Sequence, residues 1–272
     1  MSSASLPYDL EFRRIGNWLQ QRCGMVFPEK KRELLIHRMQ SVCDRYKIPD
    51  LGTLADRLAL GADNELLNAV IHAASTNHTY FFREPQVLDY FQNHILPNLP
   101  VEGARIWSAA ASSGDEAYTL AMIAAEKRGL SWAKHHLAIL GTDISGVVIA
   151  EAEKAVYGMM HIDKMPTTLL PIYFDELEND RYQVKAEIRQ LCTFRRLNLK
   201  NHPYPFQRNF HVVFCRNVLY YFDKAQQKQI IEAIYDVTEP GGWMLTSVTV
   251  SLRDLESRWQ LIDNGIYWKP FS

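Results

Sequence analysis

The sequence predicts an α/β fold, a mostly parallel sheet preceded by a helical N-terminal domain. Three observations carry the prediction. Apolar residues before residue 75 recur at helical spacing, and from about Ala104 short strand-like runs alternate with helices. Each of those runs ends in small or polar residues, where ligands sit in such sheets.

Taken in order, Leu10, Phe12, Ile15, Trp18 and Leu19 form the first apolar stripe, Leu34, Leu35, Ile36 and Met39 the second. Leu54, Leu58, Leu66, Leu67, Val70 and Ile71 continue the pattern, and Pro49, Asp50, Gly52 and Gly61 break it between helices. Residues 1–75 are therefore read as the helical domain and 76–272 as the α/β domain. In the latter, Ala104–Ala110 and Leu137–Asp143 read as strands, and Glu116–Lys127 and Gly146–Val156 as the helices that follow them. This alternation implies right-handed crossovers. It resumes with a strand over His211–Asn217, a helix over Lys224–Val237, a Pro240-Gly241-Gly242 turn and a strand over Trp243–Thr249. Between the halves, Arg181–Ile188 and Leu191–Leu197 alternate with a period of two, predicting an inserted antiparallel subdomain at about residues 170–195.

Composition narrows the function. The 272 residues carry 30 basic and 31 acidic side chains, a net charge of −1, so no global field draws the chain to nucleic acid or lipid headgroups. Cys23, Cys43, Cys192 and Cys215 have no disulfide or zinc spacing, and no metal site is expected. Neither a signal-peptide pattern nor a membrane-length apolar run occurs, so the reading is a cytoplasmic monomer without membrane insertion.

The strand ends suggest the ligand. Ser112-Ser113-Gly114-Asp115-Glu116 lacks the spaced glycines of a dinucleotide fingerprint. Its acidic pair suits a ligand ammonium and would repel a phosphate. Asp143 is placed either to accept from two ribose hydroxyls or to cap the helix that starts near Ser145. Asn198 and Asn217 follow strand-like segments with amides that both donate and accept, as an adenine edge requires; singly, each reads as a turn asparagine. Upstream, Thr76-Asn77-His78-Thr79-Tyr80-Phe81-Phe82-Arg83 reads as a clamp for a charged ligand. Together these residues point to an adenosine-bearing ligand with an ammonium group.

With Ile106–Tyr118, Gly141–Ser145 and Phe214–Asp223, the Thr76–Glu84 segment resembles the CheR-type chemotaxis receptor methyltransferases, in the family's order and over nearly the whole chain. The resemblance implies a Rossmann-like fold that transfers a methyl group from S-adenosyl-L-methionine to glutamate side chains on cytoplasmic chemoreceptor helices. The products are glutamyl methyl esters and S-adenosyl-L-homocysteine. It places Asn77, Thr79 and Arg83 at the methionine end, Glu116 on the ammonium and Asp143 on the ribose. Asn198 and Leu199 would hold the adenine, Asn217 and Val218 would line the pocket, and Arg83 and Tyr221 would serve as the catalytic pair. Lys30, Lys31, Arg32 and Arg38 read either as a solvated face or as a dock for the acidic receptor bundle.

Several positions depart from the family pattern. Ala117 stands for proline, Tyr220 for an aliphatic residue (read as a packing variation), and Ser247–Leu252 for a His-Ser-Glu-Ser-Leu type of run. The turn Glu176–Arg181 is acidic and free of glycine, predicting a member that needs no receptor-peptide tether. A catalytically silent signalling adaptor of the same fold is the alternative to an enzyme.

Overall fold

The computed structural model describes residues 8–61, 63–75, 78–248 and 252–271. Four helices open the chain: α1 (Asp9–Cys23), α2 (Arg32–Tyr46), α3 (Leu51–Ala59) and α4 (Asn64–Ala74). Asp50 and Asp63 cap α3 and α4 by accepting from the backbone amides of Thr53 (2.7 Å) and Leu66 (2.8 Å). Helix α5 (Pro85–Tyr90) then leads into the sheet domain, with proline at its first position.

The sheet strands are β1 (Ala104–Ser108), β2 (Leu137–Asp143), β6 (Cys192–Arg196), β7 (Phe210–Phe214), β8 (Thr238–Leu245), β9 (Gln260–Asp263) and β10 (Ile266–Trp268). Their order is β6-β2-β1-β7-β8-β10-β9, parallel from β6 to β8 and closed by the antiparallel β10 and β9. From β1 the chain crosses first to one side, through β2 and β6, and later to the other, through β7 and β8. The crevice beyond β1 and β7 is therefore the topological switch point, the ligand position in open parallel sheets. Helices α6 (Asp115–Arg128), α7 (Leu130–His136), α8 (Gly146–Lys154) and α12 (Lys224–Asp236) connect the strands. The single-turn helices α9 (Met159–Ile162), α10 (Leu170–Tyr173) and α11 (Ala186–Arg189) lie in the insertion and just after it.

Three expectations change. The antiparallel subdomain exists, but its strands are β3 (Val156–Gly158), β4 (Phe174–Leu177) and β5 (Arg181–Val184), ordered β3-β5-β4. The alternating run Leu191–Leu197 instead supplies β6, the parallel edge strand of the main sheet. Period two reports one buried face, which a sheet-edge strand shares with a hairpin strand. Pro240-Gly241-Gly242 is no turn: it lies inside β8, where Gly241 takes φ +77° and the register against β7 shifts. The acidic turn is glycine-free as expected, and Asn179 and Asp180 adopt the positive φ themselves.

The helical domain and the sheet share one core. Phe12, Leu19, Leu35 and Leu54 belong to the same buried cluster as Trp107, Val213 and Ile231. The opposite face of the sheet packs a second cluster around Phe91, Leu120 and Phe214. Among the described residues no helix is long and apolar enough to cross a membrane.

Candidate active site

A cavity of about 210 Å³ opens at the switch point, walled by the ends of β1, β2, β6 and β7 and by the loop between α1 and α2. It brings together Thr79, Arg83, Glu116, Asp143, Asn198, Leu199, Asn217, Val218 and Tyr221, nine of the expected residues. Asn77 lies outside the described residues.

One hydrogen-bonded chain spans the cavity floor. Ser108 Oγ donates to Glu116 Oε1 (2.7 Å), and Arg216 Nη1 donates to Glu116 Oε2 (3.0 Å). Arg216 Nη2 stands 3.4 Å from Glu84 Oε2 and also donates to the Arg83 carbonyl. Asn217 Nδ2 donates to Glu84 Oε1 (3.0 Å) and to Ser247 Oγ (2.7 Å). The sequence reasoning gave Arg216 no role. Its signal was a guanidinium directly after a largely apolar strand, where only paired carboxylates make burial tolerable. Glu84 and Ser247 left no comparable signal, because their partners lie 133 and 30 residues away.

Of the acidic pair at the start of α6, only Glu116 lines the cavity. Asp115 is fully buried, accepting from Ser113 Oγ (2.7 Å) and facing His161 Nδ1 at 2.6 Å. The Asp143 carboxylate accepts from the Ser112 and Ser145 amides (3.1 and 2.9 Å), the latter just before α8, and the residue also lines the cavity. Phe82, Glu84, Ser112 and Asn217 all hold positive φ, a concentration of strained backbone of the kind that functional sites retain.

One assignment needs correction and one gains a second role. The Asn198 amide donates to the Arg22 carbonyl (3.0 Å) while its oxygen accepts from the Lys200 amide, so its side chain ties down the end of α1 and keeps one donor and one acceptor at the cavity. Lys200 Nζ reinforces that tie by donating to the Gln20 and Gln21 carbonyls. Tyr220 is no packing variation: it is 48% exposed at the cavity, and its hydroxyl donates to that of Tyr221 (3.3 Å). The docking residues also divide. Lys30 is exposed, Lys31 half-buried and Arg32 buried beside Glu29, while Arg38 donates to the Ala74 carbonyl (2.9 Å) at the end of α4. Arg83 donates to the His78 carbonyl (2.8 Å) and faces the Tyr80 ring.

Residues 77–265 match the family model described as CheR methyltransferase, SAM binding domain, and residues 10–73 match CheR methyltransferase, all-alpha domain. The chain belongs to the CheR methyltransferase family. Curated CheR-like relatives include a chemotaxis protein methyltransferase of Borreliella burgdorferi, 32% identical over 89% of this chain and 88% of that one. Chemotaxis protein methyltransferase 1 of Pseudomonas aeruginosa is 32% identical over 96% of both chains. Chemotaxis protein methyltransferase Cher2 of Pseudomonas putida is 31% identical over 93% of this chain and 94% of its own.

The protein is accordingly an S-adenosylmethionine-dependent methyltransferase of the CheR family, and the cavity fits that cofactor. Glu116 would supply an anion for the cofactor's ammonium and Asp143 an acceptor for its hydroxyls, and the buried Arg216 Nε has no hydrogen-bond partner among the described residues. Burial pushes the Glu116 and Asp143 carboxyls above their ordinary range, against the opposing pull of Arg216 on the first and backbone amides on the second. Being raised in the fold, these groups favour folding below their unfolded pKa, and that contribution is lost as pH rises through the folded values. Cofactor binding runs the other way, since only the ionised carboxylate attracts the ammonium. Calorimetry from about pH 8 down to about pH 5 is expected to show affinity falling before ordinary carboxylates protonate.

Proposed function

We propose that this chain methylates glutamate side chains on the cytoplasmic helices of chemoreceptors, giving glutamyl methyl esters in chemotaxis-type adaptation. The observation that carries the reading is the set of charges gathered in one cavity. Carboxylates that suit the cofactor's cationic and hydroxyl groups line it together with the Arg83 guanidinium and the Tyr221 phenol, which suit an anionic acceptor. The names of the CheR relatives, all chemotaxis protein methyltransferases, support the same pathway.

When bound, S-adenosylmethionine supplies an activated methyl group that a carboxylate oxygen takes as the sulfur–carbon bond breaks, with no proton transferred. A glutamate is already ionised at neutral pH, so the chain needs no general base. Its residues act by positioning and desolvation, which for well-oriented reactants reach about 7–11 kcal/mol. Arg83 orients a carboxylate at the reacting centre. Tyr221, 8% exposed and held by its carbonyl to the Val26 amide (2.7 Å), shapes the methyl pocket. The acidic, exposed edge of β4, with Asp175 and Glu176, supports a member that works without a receptor-peptide tether.

Transfer of radiolabelled methyl groups to receptor-bearing membranes tests the reading. The wild type should give base-labile label on glutamates, and Arg83→Ala should lose on the order of 100-fold or more in rate with its fold intact. Full activity in Arg83→Ala would remove that residue's role. A wild type that binds the cofactor yet labels no receptor would leave the adaptor reading instead.

A further inference from the structure

The insertion reaches the cavity walls through one residue. His161, in α9, stands with Nδ1 2.6 Å from Asp115 Oδ1, and its backbone carbonyl accepts from the Phe81 amide (2.8 Å). Asp115 opens α6 next to Glu116, and Phe81 lies two residues before Arg83. His161, Asp115 and Phe81 do not themselves line the cavity, so whatever they do to a ligand passes through those two neighbours.

The surroundings make this joint stiff. Asp115 is fully buried and also accepts from Ser113 Oγ (2.7 Å), while the Tyr157 hydroxyl donates to the Ser113 carbonyl (2.6 Å). Phe81, fully buried as well, meets Tyr157 and Phe174 of the insertion edge-on, with ring centroids 4.9 and 5.1 Å away. The Phe82 amide donates to Thr119 Oγ1 (3.2 Å), which donates in turn to the Asp115 carbonyl (2.7 Å). A buried carboxylate that loses a donor must recover it by moving or by admitting water, because leaving it unsatisfied is costly. Any such movement of Asp115 carries Glu116 with it.

We propose that His161 is a positioning residue for the methyltransferase reaction: by joining Asp115 to Phe81 it fixes Glu116 relative to Arg83 and makes the insertion a structural part of the cofactor site. The inference rests on the proposed placement of Glu116 at the cofactor's ammonium and of Arg83 at the reacting centre.

Calorimetry with S-adenosylhomocysteine on the full chain, alongside thermal melts, tests it. His161→Leu, and His161→Phe, which keeps a ring against Tyr157, should each weaken binding about tenfold, the scale of one hydrogen bond to a charged group. His161→Asn can place its amide nitrogen where Nδ1 stands and should stay within about threefold of wild type. Tyr173→Phe is the control, since it removes a different tie between the insertion and α6, from the Tyr173 hydroxyl to Glu126 near the other end of that helix. It should lower the melting temperature and leave the affinity unchanged. Wild-type affinity in the Leu and Phe variants, no recovery in His161→Asn, or an equal loss in Tyr173→Phe overturns the positioning role. Glu116→Gln separates the two ideas. Wild-type affinity there, with His161→Leu weakened and His161→Asn recovered, overturns the ammonium assignment alone, whereas weak binding in Glu116→Gln beside normal binding in His161→Leu overturns the positioning role alone.

Discussion

Arg216→Met is expected to abolish cofactor binding and to lower the melting temperature on the order of 10 °C. The side chain is 3% exposed and carries the charges of Glu84 and Glu116 in one guanidinium. Removing it leaves two carboxylates in a low-dielectric floor, and breaking one partner of a buried pair costs about 3–5 kcal/mol. In a chain of this length each kcal/mol moves the melting temperature by roughly 2–4 °C. Arg216→Lys keeps the charge but not the fork, so it should recover part of the stability and little of the affinity. Adding Glu84→Gln to Arg216→Met should recover part of the stability, since Glu116 stays unpaired, without restoring binding. Thermal melts alongside calorimetry with S-adenosylhomocysteine read both. A melting temperature within a degree or so of wild type for Arg216→Met would show that the floor is solvated.

Gly24→Ala is expected to cost about 2–5 kcal/mol and to slow methyl transfer more than it weakens cofactor binding. Gly24 ends α1 at φ +79°, and a Cβ there would meet the Phe222 ring at 2.8 Å and Gln226 Oε1 at 3.1 Å. Two residues on, the Val26 amide holds the Tyr221 carbonyl, so a displaced loop moves the methyl pocket. Gly16 provides the control. It lies within α1, and a Cβ there meets nothing within 4 Å, so Gly16→Ala should stabilise by about 0.5–1 kcal/mol and leave kcat unchanged. If Gly24→Ala matched Gly16→Ala in both readouts, the α1–α2 loop would have no part in positioning Tyr221.

Much of the cavity was legible because strand ends are local. Glu116, Asp143 and Asn217 each follow a short apolar run that can only be a buried strand, and topology then gathers such ends at one crevice. Asn198 shows the limit of that logic. Its position at a strand end is right, yet its amide also holds the Arg22 carbonyl, 176 residues earlier, a tie that no local pattern marks. Leu191–Leu197 fails for a related reason. Alternation reports that one face is buried, and only the pairing with β2 decides against which sheet.

The sequence by itself determined the element order, the helical first domain, the parallel sheet and the chemistry available at each strand end, since these follow from periodicity and residue type over short windows. Tertiary structure alone decided which charges meet. It placed Arg216 between two carboxylates, joined the α1–α2 loop to Tyr221, fused both domains into one core and set Lys31 and Lys164 over tyrosines from other segments. The reason is physical: burial and Coulomb energies depend on distance through space, and that distance is fixed only when the chain has closed on itself.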